Sequence, residues 1–119
     1  MDKIQFGTRG ESLAKQHLVN RGYIILEENW RFQHLELDLI VADDEHVVFV
    51  EVKTRSASSF ETIEDMITKK KQRFLIIAAN AYIEKNEITK EARFDVIAIT
   101  FENEKYQVDH IVDAFYPEV

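Results

Sequence analysis

Two stretches decide the fold: Leu35-Glu36-Leu37-Asp38-Leu39-Ile40-Val41 and Phe49-Val50-Glu51-Val52-Lys53-Thr54-Arg55. Both alternate branched apolar residues with polar ones, which predicts two strands. Asp43-Asp44-Glu45-His46 between them is a short polar turn. A two-residue loop at Asp44-Glu45 pairs Asp43 with His46 and sets the register. Asp38 then stands opposite Glu51, and Glu36 opposite Lys53. Directly opposed residues have Cβ atoms roughly 5 Å apart, where like charges destabilise a sheet. Either this is a solvated face with a Lys–Glu cross-strand pair, or a divalent cation between the acids turns repulsion into binding. Hydrophobic strands, opposed acids and a lysine on one face favour the cation. Acid, acid and amine around one point are the equipment for metal-assisted hydrolysis of a phosphodiester.

Strand alternation sorts the remaining residues of this hairpin. Leu35, Leu37, Leu39 and Val41 are expected on one face, with Glu36, Asp38 and Ile40 on the other. In the second strand Val48, Val50 and Val52 share a face. Val47, Phe49, Glu51, Lys53 and Arg55 share the opposite one. The charged ends of the two strands coincide, which confines the chemistry to one end of the sheet.

Working outward, residues 8–20 read as a helix with the apolar stripe Leu13, Ala14, His17 and Leu18. Gly22 suits the position just past its end. Residues 23–30 read as a strand. Residues 62–84 read as one long helix with the stripe Ile63, Met66, Ile67, Phe74, Ala78, Ala81 and Tyr82. Helical spacing puts Lys70 and Lys71 inside that stripe, and an ammonium aimed at a core needs a partner. Residues 94–99 and 106–111 read as strands joined by a turn at Asn103-Glu104. The order α-β-β-β-α-β-β predicts a central mixed sheet with helices packed on it, an α/β layered domain.

The 119 residues are expected to form one domain, residues 1–119, with a real core. There is no cysteine, hence no disulfide framework and no thiolate metal site. The start carries no apolar leader, and no run reaches transmembrane length. A soluble, cytoplasmic protein with no membrane partner is the expectation. The formal net charge of −7 argues against an indiscriminate nucleic-acid coat. It leaves room for a local basic groove from mid-chain lysines and arginines. His17, His34, His46 and His110 share no ligand spacing. No serine sits in a nucleophile elbow, and there is no glycine-rich phosphate loop. Trp30, Phe32, Phe60 and Tyr82 either stack on bases or belong to the core, where aromatics at these spacings usually sit.

The motifs resemble one family. Gly7-x-x-Gly10-Glu11-x-x-Ala14, Gly22-Tyr23 and Asn29-Trp30-Arg31 come first. Glu36-Leu37-Asp38-Leu39-Ile40 and Phe49-Val50-Glu51-Val52-Lys53-Thr54-Arg55 follow, then Lys70, Ala78, Arg93-Phe94-Asp95-Val96 and Ala114-Phe115. Together they resemble the YraN-type family of predicted nucleases, within the PD-(D/E)xK restriction-endonuclease-like superfamily. Leu35 departs from the glycine usual in that family before Glu36.

The resemblance implies a restriction-endonuclease-like central mixed sheet flanked by helices. It implies a metal-dependent endonuclease acting on nucleic acid, DNA before RNA, with branched DNA suggested by analogy to junction resolvases. The alternative is a non-catalytic nucleic-acid or protein-binding module on the same fold. Asp38 and Glu51 would hold Mg²⁺ or Mn²⁺ with the carbonyl of Val52, since an all-oxygen set suits those ions. Lys53 would orient the attacking water and offset phosphate charge. Glu11 matches the helical glutamate that supplements the acids in similar nucleases; otherwise it is a first-turn glutamate favoured by the helix dipole. Glu36 is either a supporting acid or the salt-bridge partner of Lys53. Arg55, and more weakly Arg31 in the turn before the hairpin, would clamp phosphate. Lys70 would touch phosphate or the carboxylates, or else snorkel to water. Lys69, Lys71 and Arg73 read as a solvated face, and Arg93 with Asp95 as a structural ion pair. A symmetric substrate would favour a homodimer.

Overall fold

The computed structural model describes residues 3–117. The elements are α1 (Lys3–Asn20), β1 (Ile24–Phe32), β2 (Leu35–Ala42), β3 (His46–Ser56), α2 (Ile63–Met66), α3 (Lys69–Lys85), β4 (Glu91–Glu102) and β5 (Lys105–Phe115). The five strands form one mixed sheet in chain order. β3 and β4 run parallel, and the other neighbours are antiparallel. This is the α/β, restriction-endonuclease-like arrangement. Among the described residues no helix is long and apolar enough to cross a membrane.

The helices cover opposite faces. Ala14 and Leu18 of α1 pack with Leu39, Val41, Val48, Val50, Ile97 and Ile99. Leu75, Ala78, Ala79 and Tyr82 of α3 pack with Leu37, Ile40, Val47, Phe49 and Val96. α1 begins at Lys3 rather than at residue 8, because Phe6 packs on Phe101 with ring centroids 4.9 Å apart. It ends as its sequence predicts. Gly22 has φ +90°, and the N–H groups of Gly22 and Tyr23 donate to the carbonyls of Val19 and Leu18. That pair of bonds is a Schellman cap.

The predicted long helix is two. Thr68, extended at φ −66° and ψ 162°, caps α3 by accepting from the Lys71 N–H. The single turn of α2 is thereby separated from α3. The break resets the helical phase. The buried stripe of α3 is Leu75, Ala78, Ala79 and Tyr82, while Phe74 is 37% exposed.

The hairpin register is as the turn chemistry predicts. Asp43 Oδ1 accepts from the N–H groups of Glu45 and His46, an Asx turn. The Asp43 N–H donates to the His46 carbonyl at 3.1 Å. The ladder runs from Ala42↔Val47 to Leu39↔Val50 and stops there.

At that point the simple alternation fails. Leu39 and Val41 face α1, but Leu37 and Leu35 face α3. The chain of β2 switches faces at Asp38, opposite Asn29 with its left-handed φ of 50°. A strand whose side chains alternate can change face only where its regular pleat is broken. β2 and β3 part here, and the carboxylate of Asp38 fills the gap.

Candidate active site

Asp38 Oδ2 accepts from the Val52 N–H at 2.8 Å. The side chain thus serves a backbone donor that has lost its ladder partner, and Asp38 is fixed against β3. Glu51 is one residue beyond the last paired rung, 5% exposed, on the face covered by α3. Two ammonium groups approach its Oε1: Lys71 Nζ at 3.6 Å and Lys53 Nζ at 3.8 Å. Its other oxygen, Oε2, is buried without a hydrogen-bond partner. A buried carboxylate oxygen with no donor is costly. Among the described residues only His46 Nδ1 is similarly placed, and that atom lies 3.4 Å from Asp43 Oδ1.

The acids are reluctant to ionise. Burial, then the Asp38 charge, raise Glu51 to about 7 against the opposing pull of Lys71 and Lys53. Burial also raises Asp38, although the Val52 N–H and Lys71 work against it. Glu11 is raised by burial and by the carboxylates of Asp38, Glu36 and Glu28. An acid pair held above its ordinary range, one member of which borders a cleft, marks a candidate functional site.

Asp38 borders two clefts. One, of about 420 Å³, lies on the α3 side and is lined by Glu36, Lys71, Phe74 and Leu75 among others. The second, of about 240 Å³, lies on the α1 side, with Glu11, Lys15, Glu28 and Asn29. Glu11 therefore reaches Asp38 from the opposite side to Glu51. Its placement depends on Gly10, where an added Cβ would fall 1.8 Å from Thr54 Cγ2. Only glycine lets α1 sit this close to β3. An apolar cleft of about 290 Å³ lined by Ile76, Ile77 and Tyr116 contains no acid among its lining residues.

Several expected partners are rearranged. Glu36 pairs with Arg31 at 2.9 Å instead of meeting Lys53, because β2 has left β3 by that point. Arg31 is a β1 residue directly opposite Glu36, not a turn residue. Arg55 donates from Nε to Thr100 Oγ1 at 3.0 Å and from Nη1 to the Glu61 carbonyl at 2.6 Å. Much of its fork is thus spent on bracing the loop after β3. Lys70 is exposed, its ammonium 5.8 Å from the centre of the Phe74 ring. Lys71, which the helical spacing puts inside the stripe in need of a partner but which also reads as part of a solvated face, is the helical lysine that meets Glu51. Extending the true stripe back from Leu75 and Ala78 by one turn lands on Lys71, which is the signal that separates it from Lys70. Of the four aromatic candidates, Trp30, Phe32 and Tyr82 belong to the core beside α3. Phe60 is 99% exposed.

Away from the acids, Asp95 is fully buried and accepts from Arg93 Nε and Nη2, each at 2.9 Å, and from the Asp113 N–H at 3.0 Å. His110 Nε2 lies 2.8 Å from Asp95 Oδ2. Burial pushes Asp95 up, but these bonds outweigh it and hold the carboxyl below its usual value. The expected Arg93–Asp95 ion pair is the centre of this network.

Among the described residues no group of three or more His, Cys, Asp and Glu side chains stands ready around a metal. The residues nonetheless fit a hard cation. Glu51 offers a buried oxygen with no other partner, Asp38 offers Oδ1, and oxygen donors suit Mg²⁺ or Mn²⁺. The remaining ligands of such ions are commonly waters.

The model of an uncharacterised protein family, UPF0102, matches residues 10–99, a span that holds Glu11, Asp38, Glu51, Lys53 and Lys71. The chain is similar to a UPF0102 protein of Flavobacterium psychrophilum, with 41% identity over 110 residues and 92% of each chain covered. A UPF0102 protein of Bacteroides thetaiotaomicron is 40% identical over 113 residues, covering 95% of this chain and 93% of that one. One of Chlorobium chlorochromatii is 40% identical over 120 residues, with 96% and 93% covered. The chain belongs to the uncharacterised protein family UPF0102, the YraN-type family.

Proposed function

We propose that this protein is a metal-dependent endonuclease that hydrolyses phosphodiester bonds of nucleic acid, with structured DNA as its substrate. The observation that carries the reading is the Asp38/Glu51 pair. A buried carboxylate, Glu51, and a half-buried one, Asp38, meet at a break in the sheet, one Glu51 oxygen has no partner, and two lysines approach the other. The Val52 N–H accounts for one Asp38 oxygen, but a buried Glu51 oxygen with no donor beside a second carboxylate costs stability, and that cost supports a functional reading.

Asp38 and Glu51 would hold Mg²⁺ or Mn²⁺, with the Val52 carbonyl as a further ligand and Glu11 acting on Asp38 from the α1 side. The ion would supply a water of lowered pKa and neutralise phosphate charge. The protein's own residues position the reaction. The Val52 N–H fixes the Asp38 carboxylate. β3 carries Glu51 and Lys53 on one face, so the Lys53 ammonium stands beside the acids where a phosphate oxygen or attacking water can meet it. The cleft beside Lys71 has room for a phosphate group. Arg31 and Arg55 already have protein partners and would serve the substrate less than the lysines.

The test is cleavage of labelled single strand, duplex, flap and four-way junction, as DNA and as RNA, with Mg²⁺, Mn²⁺ or EDTA. Metal-dependent cutting that Lys53→Ala and Asp38→Asn abolish is the expected result. Binding without cutting on any substrate would move the reading to a non-catalytic nucleic-acid module. Absence of metal, nucleic-acid binding and cleavage would leave a protein-binding module.

A further inference from the structure

Lys71 sits awkwardly for a merely structural lysine. Its partner Glu51 is 5% exposed, whereas its own side chain is 41% exposed. The acid is locked in place, and the ammonium can leave for water. The contact is long at 3.6 Å and uses Oε1, leaving Oε2 unpartnered. Lys53 also approaches Oε1, at 3.8 Å, but from two residues along the same strand, so its Cα cannot move relative to Glu51. Lys71 comes from a different element, in the first turn of α3, and lines the 420 Å³ cleft that Asp38 borders. Its stem has four rotatable methylenes. The amino end of the 17-residue α3 lies at the same place and favours negative charge. Glu51 on one side and the cleft on the other both lie within reach of this flexible chain.

We infer that Lys71 is a displaceable counter-cation, which holds Glu51 in the metal-free protein and turns into the cleft toward a substrate phosphate when a divalent cation takes the acids. The inference rests on the nuclease reading and adds the phosphate-binding group to it. The physical basis is competition. An ammonium and a divalent cation drawn to one buried carboxylate repel each other, and Lys71, on a half-exposed chain from another element, is the partner free to move away. The released ammonium finds its next anion at the helix start. The resting site thereby avoids a naked charge on the buried Glu51.

The experiment measures Mn²⁺ affinity by calorimetry, without nucleic acid, for wild type, Lys71→Met and Lys71→Arg. Affinity for a junction and a duplex is then measured in Ca²⁺ over a series of salt concentrations. Removing a competing ammonium should tighten Mn²⁺ binding by about fivefold in Lys71→Met, the scale of one partly exposed ion pair. Nucleic-acid affinity should fall in the same variant, and its slope against log salt should shrink by nearly one. Lys71→Arg should stay near wild type in both. Metal binding that Lys71→Met leaves unchanged or weakens, in a wild type that binds Mn²⁺, overturns this inference alone. An unchanged salt slope overturns the transfer to phosphate. No Mn²⁺ binding by any of the three proteins overturns the nuclease reading and the inference with it.

Discussion

Replacing Glu51 with glutamine should stabilise the metal-free protein at alkaline pH and do nothing at acid pH. Glutamine keeps the shape and leaves Oε1 to accept from Lys71, while it removes the charge. The Glu51 carboxyl rises from an ordinary 4.5 to about 7 in the folded chain. The native state therefore holds this proton more tightly than the unfolded chain does. The associated stability is fully present below about 4.5 and is lost as pH rises through about 7. At about 1.4 kcal/mol per tenfold change in proton affinity, the loss is about 3 kcal/mol. Glu51→Gln lacks that loss. It should match wild type near pH 4.5 and exceed it by up to about 3 kcal/mol at pH 8, roughly 10 °C in Tm for a chain of this length. Mg²⁺ should act in reverse. Wild type gains about 2.7 kcal/mol at one hundred times the dissociation constant, and the variant gains nothing. The assay is urea unfolding of both proteins from pH 4.5 to 8.5, with EDTA or Mg²⁺. A variant less stable than wild type at pH 8, or a difference that ignores pH, would refute the reasoning.

Three further substitutions probe what positions the site. Asp95→Asn should cost about 3–5 kcal/mol in urea unfolding, because it breaks a buried pair and leaves the Arg93 guanidinium without its counter-charge. Gly10→Ala should cost about 1–3 kcal/mol, since its Cβ meets Thr54 and pushes α1 away from β3. It should also lower the Glu11 carboxyl toward its ordinary value, readable by NMR titration. Phe60→Ala should leave Tm within the scatter of a surface change, about 0.5 kcal/mol, because its ring is 99% exposed.

The fold was legible where local chemistry decides it. Gly22 announced the end of α1, and Asp43 set the hairpin turn and thereby the register of β2 against β3. The mixed sheet followed from the order of elements. The face switch at Asp38 was not legible. Alternation continues in the letters Leu35, Leu37, Leu39 and Val41, and nothing in them says where the neighbouring strand departs. Glu36 was lost to Lys53 for the same reason. The choice between Lys70 and Lys71 turned on the phase of α3. One helix through Thr68 keeps Phe74 in the stripe and places Lys70 and Lys71 there together, and only Lys71 finds the carboxylate partner that such a position needs. Thr68 three residues before Lys71 is a capping pattern, so the break was recoverable. Arg55 looked like a free clamp because its partners, Thr100 on β4 and the Glu61 carbonyl in a loop, are set by tertiary packing.

The most direct test of the central claim is anomalous diffraction from crystals soaked in Mn²⁺. The account predicts a manganese peak within about 2.3 Å of Asp38 Oδ1 and Glu51 Oε2, with the Lys71 ammonium moved off Glu51. A map with no peak at these oxygens, in crystals where the cleft is open to solvent, would contradict it.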